Sequence, residues 1–184
     1  MALSKIGEDA KNAIVSVVKG ADDIASAMRD AVKNQVTGLM KGAGEVTTTA
    51  VDVVSDVVEG AVSGASDVGS TATDAAKEAV SSAIMAVSDV GGDVMAAVGK
   101  AVTGAIKGAA DVGGDVGAVA VSAVEGAIDA AGKLGQDTAK AGEQAIGGAV
   151  RAADAIGDEA GRSVRDALKS AASLPKEIVE AALK

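Results

Sequence analysis

The chain has 184 residues, 26 of them acidic and 17 basic, for a formal net charge of −9. It contains no Phe, Tyr, Trp, His or Cys, which removes the usual ligands of zinc, copper and haem, the His general base, the Cys nucleophile and any disulfide. A diffuse acidic surface also argues against nucleic acid, which needs a basic patch, and offers anionic lipid no polybasic cluster.

The first twenty residues, MALSKIGEDAKNAIVSVVKG, carry Glu8 and Asp9 and lack an apolar run of signal-peptide length. The longest charge-free run, 79–88, falls well short of the roughly 20 residues needed to span a bilayer. We expect a cytoplasmic chain, peripheral at most on a membrane or granule. The initial Met is read as meaning that no leader was removed.

One period of eleven residues runs from end to end. Its polar column steps through Asn12, Asp23, Asn34, Glu45, Asp56, Asp67, Glu78, Asp89, Lys100 and Asp111, and onward to Asp166 and Glu177. The next column is apolar at every step except Gln35, and the column four further on at every step except Thr138. Eleven residues make three turns at about 3.67 residues per turn, close to the natural helical value. The apolar columns then share one arc of a helix and the charged columns the opposite arc. The alternation of a strand is absent. The fold class is all-α: a very long hendecad-repeat amphipathic helix or helical hairpins, bundled through a Gly/Ala/Val seam. All of 1–184 is a single repeat region. One uninterrupted helix would run to about 270 Å.

Between 56 and 161 a longer unit of 22 residues is visible. One column alternates branched and small residues: Val58, Gly69, Val80, Gly91, Val102, Gly113, Val124, Gly135, Ile146, Gly157. An oil surface has no reason to demand that alternation, whereas a partner helix does. Val58, Val80, Val102, Val124 and Ile146 are read as knobs and the five glycines as holes of a packing seam. Gly113→Leu is accordingly expected to disrupt assembly. At the edge of the seam, Gly38/Gly42, Gly60/Gly64 and Gly104/Gly108 form small-xxx-small pairs that let helix backbones approach closely.

The glycine-rich spots at 42–44, 91–92, 113–114 and 147–148 are either hinges or packing sites. The segments SDVGGDV (88–94) and ADVGGDV (110–116) place Asp89/Asp93 and Asp111/Asp115 four residues apart. They do not match an EF-hand loop, and we read them as a solvated acidic face. Residues 79–106 carry only Asp89, Asp93 and Lys100 as charges, which marks that stretch as the main contact surface. Pro175 is the single strong helix stop, leaving a short C-terminal helix in 174–184. No catalytic residue, metal site or cofactor is assigned, and the chain is read as not an enzyme.

The period resembles that of late-embryogenesis-abundant proteins, synucleins and perilipin-type coats, on segments such as TDAAKEAVSSA (73–83), VVEGAVSGA (57–65) and AVEGAIDAAGK (123–133). That resemblance implies disorder that becomes helix on drying or on lipid. The chain departs from those classes in having few lysines and far more glycine and valine. The first expectation for function is a structural scaffold that self-associates as a homo-oligomer or filament. The alternatives are an amphipathic coat on a lipid or storage-granule surface, and a stress or ice-binding protectant.

Overall fold

A computed structural model describes residues 4–42 and 48–184, with side chains from 51 onward in the second segment. Within those residues the chain forms short helices joined by tight turns: α1 (Lys5–Val18), α2 (Ile24–Gly42), α3 (Thr48–Ser63), α4 (Ala72–Asp89), α5 (Val94–Asp111), α6 (Val116–Lys133), α7 (Thr138–Ile156), α8 (Asp158–Ser170) and α9 (Lys176–Ala182). A 3-10 turn (Ala65–Val68) follows α3. The longest described helices have 19 residues, so the chain takes the hairpin alternative and not the single long rod.

The turns are written in the sequence as Val/Leu-Gly-x-Asp/Thr. Gly69 follows the last residue of the 3-10 turn, Gly91, Gly113 and Gly135 follow the C-cap residues Val90, Val112 and Leu134, and the four adopt φ of 78°, 74°, 66° and 67°. Only glycine enters that region without strain from a Cβ. After each of the last three, the next backbone N–H reaches back to the helix: Gly92 to the Val87 carbonyl, Gly114 to Ala109 and Gln136 to Ala131, all at 2.8 Å. Asp93, Asp115 and Asp137 then cap the next helix, accepting from the N–H groups of Ala96, of Gly117 and Ala118, and of Ala139 and Lys140 at 3.0 Å. Thr71 does the same for α4 through Asp74 N–H at 3.1 Å.

Each 22-residue unit is therefore one helix and one turn. The eleven-residue register survives the turn because 22 is twice eleven. Its alternate repeats are mid-helix and helix end, which is why one column alternates valine with glycine.

The helices stack in two layers, α1, α3, α5, α7 and α9 in one and α2, α4, α6 and α8 in the other. Each helix packs on its neighbours two along the chain within its layer and on the preceding and following helices in the other layer. The core between layers is Ala and Val, with Ile14, Met28, Met40, Ile84, Ile106, Ile146 and Leu168 as its largest fully buried side chains. With side chains this small, stability accumulates from many close contacts. No helix among the described residues is long and apolar enough to cross a membrane.

Candidate functional site: the layer seam and a buried carboxyl pair

Val58, Val80, Val102, Val124 and Ile146 are fully buried between the layers. Their supposed holes lie elsewhere. Gly69, Gly91, Gly113 and Gly135 are exposed turn residues, and a Cβ on Gly91, Gly113 or Gly135 would have nothing within 4 Å. On Gly69 it would reach only the Ile24 side chain, at 3.9 Å. Gly157 joins α7 to α8, also with open space around it. These residues reverse the chain and receive no knob, because the alternation marks the helix ends.

The edge glycines make the close approach. A Cβ on Gly60 in α3 would lie 2.5 Å from the Gly7 carbonyl oxygen of α1. Gly104 in α5 leaves no room against the Ser55 backbone of α3. Gly108 is 2.6 Å from the Glu59 carbonyl, Gly126 is 2.6 Å from that of Lys77, and Gly148 is 2.8 Å from that of Gly99, by the same measure. Gly64 meets the Val15 side chain at 2.8 Å. All join helices two apart, and the constant offset (Gly104 on Ser55, Gly108 on Glu59) makes those helices parallel. Gly38 and Gly42 meet nothing within 4 Å, since α2 is the first helix of its layer. Of the glycine-rich spots, 91–92 and 113–114 are turns, 147–148 lies inside α7, and Gly44 lies outside the described residues.

Ion pairs run along the same direction as the glycine contacts. Lys100 of α5 meets Asp52 of α3 at 2.5 Å, and Lys11 meets Asp67 at 3.2 Å. In the other layer Arg29 meets Glu78 at 2.8 Å, Lys33 meets Asp89 at 2.7 Å and Lys77 meets Glu125 at 3.2 Å. These exposed or half-exposed pairs fix register more than they add stability. The Glu125 carboxylate raises the Lys77 ammonium pKa above its ordinary value. Asp154 and Arg165 form a bidentate pair between α7 and α8, at 2.8 and 2.6 Å, which holds the Asp154 carboxyl below its usual range.

One acidic group is placed where the sequence gives no signal. Glu59 occupies a polar column but is 5% exposed at the α3–α5 seam. Burial pushes its pKa up to about 7 against the attraction of Lys107, and Asp111 and Asp56 push it further. Asp111, whose carboxyl helps to hold the Glu59 pKa up, is the last residue of α5. An acid of that strength suits proton transfer at neutral pH. A groove of about 320 Å³ across α3, α5 and α7 is lined by Ser55, Asp56 and Lys107, among others, and does not include Glu59. Asp89, Asp93 and Asp115, read from sequence as one acidic face, divide into an ion pair and two helix caps.

No protein-family profile and no curated protein matches the sequence. Among solved structures the chain is similar to a de novo designed helical repeat protein, DHR7, at 22% identity and a TM-score of 0.54, with 95% of each chain covered. The chain has a helical-repeat fold. In such folds each repeat touches only its neighbours, and one supersecondary unit is copied along an axis. Here that unit is the 22-residue helix and turn.

Proposed function

We propose that this chain is a non-enzymatic structural scaffold, a stack of helical repeats whose surfaces and ends are its working parts. One observation carries the reading: apart from Ile6, Val17 and Val112, the large apolar side chains among the described residues are covered inside the chain. The Val and Ile knobs are buried, and the edge glycines of α3 and α5 to α7 are covered by backbone two helices away. An amphipathic coat needs that apolar arc free to lie on oil, so the fold favours a scaffold over the coat.

The test is circular dichroism in buffer with and without anionic or neutral vesicles. A scaffold of this kind is fully helical alone and melts cooperatively, with its ellipticity unchanged by lipid. A chain that is disordered in buffer and becomes helical only on vesicles refutes the reading.

A further inference from the structure

The two ends of the stack are unlike. At one end α8 and α9 enclose a groove of about 550 Å³, floored by Leu174, Val179 and Leu183 and rimmed by Lys169, Lys176 and Lys184 against a single Glu180. In a chain of net charge −9, a groove with three lysines and one acid is an exception. The layer order puts the next helix of the stack on α8 and α9, over this groove.

At the other end α1 packs on α2 and α3 with the face that carries Ala10, Ile14 and Val18. Ile6 and Val17 remain 38% and 61% exposed, two of the three exposed large apolar side chains among the described residues. They stand eleven residues apart, three helical turns, and so share one face. Ala13 lies between them and Asp9 beside them on the same face, with Glu8 adjacent in sequence. The neighbouring α2 presents Asn34, Gln35, Gly38 and Lys41 instead of an apolar stripe.

We propose that copies of this chain associate head to tail, the Ile6–Val17 stripe of α1 seating in the α8–α9 groove of a second copy. The contact continues the packing already used inside the chain, a repeat helix laid against the two helices before it. Asp9, on the flank of the stripe, meets the lysine rim. Because stripe and groove are different surfaces, the contact is heterologous, and each added copy leaves one groove and one stripe open. The proposal rests on the scaffold reading.

The experiment separates the two surfaces. Val17→Asp spoils the stripe, and Lys176→Glu with Lys184→Glu spoils the groove; all three side chains are exposed, so circular dichroism should match the unaltered chain. Ile6→Asp is a second stripe variant should Val17→Asp lose helicity. In sedimentation equilibrium the unaltered chain is expected to grow with concentration beyond a dimer, and each variant alone to stay monomeric. An equimolar mixture of the stripe and groove variants is expected to form a heterodimer and stop there, because each keeps one intact surface. Three results overturn the proposal: a monomer at every concentration, variants that associate like the parent, or monomeric variants whose mixture stays monomeric. A helical, lipid-indifferent monomer overturns it and leaves the scaffold reading standing; helix formation only on lipid overturns both.

Discussion

Gly126→Ala and Gly38→Ala add the same methyl group at equivalent positions of the repeat, four units apart, and should change stability in opposite directions. In α6 the new Cβ would meet the Lys77 carbonyl oxygen at 2.6 Å, its Cα at 3.2 Å and its carbonyl carbon at 3.3 Å. Those atoms are α4 backbone and cannot rotate away, so α4 and α6 must separate. Overpacking of this kind costs about 1–3 kcal/mol, against a helix-propensity gain of about 1 kcal/mol for replacing glycine. The clash wins, because separating the helices also loosens the alanine contacts beside Gly126. We expect a net loss of up to about 2 kcal/mol. At Gly38 the Cβ meets nothing within 4 Å, so only the propensity gain remains, about 0.5–1 kcal/mol of stabilisation. Thermal and urea unfolding should show melting shifts of opposite sign, at about 2–4 °C per kcal/mol for a chain of this size. If both substitutions stabilise, or both destabilise equally, the close parallel approach of alternate helices is wrong.

Glu59→Gln tests the buried carboxyl pair. The folded-state pKa lies near 7 against an ordinary 4.5, so stability from this group is fully present below pH 4.5. It is lost as pH rises to about 7, where the unfolded chain has released its proton and the folded chain has kept it. The loss approaches 3 kcal/mol at most. The Gln variant should flatten urea-midpoint stability across pH 5–8 and exceed the parent above pH 7; an unchanged slope sinks the assignment. Gly113→Leu now has a different expected effect. At φ 66° with open space it should strain the turn by about 1–2 kcal/mol, and Val124 and Ile146 stay packed. A drop in melting temperature with unchanged helicity and sedimentation is the expected readout. Asp137→Ala removes the acceptor of two N–H groups and should cost about 1 kcal/mol, read by chemical denaturation; no change would deny the cap its role.

The sequence by itself determined the helical class, the 22-residue unit and the small-residue seam, because helical periodicity and residue size are local properties. Of the edge glycines it marked for close approach, Gly60, Gly64, Gly104 and Gly108 lie against a neighbouring helix and Gly38 and Gly42 meet nothing within 4 Å. It misread Gly91, Gly113 and Gly135, because a period of eleven passes through a turn without changing phase. The turn chemistry was nonetheless present, in a glycine two residues before a capping Asp. Only the tertiary structure decided which glycines are covered and which are open. Gly38 and Gly126 belong to the same column, and they differ because, among the described residues, no helix precedes α2 in its layer while α4 precedes α6. Tertiary packing also made Glu59 a buried acid, since its column faces water in one repeat and the neighbouring helix in another. The same limit applies to the ends: Ile6 and Val17 read as ordinary members of an apolar column until the stack left them with nothing to cover.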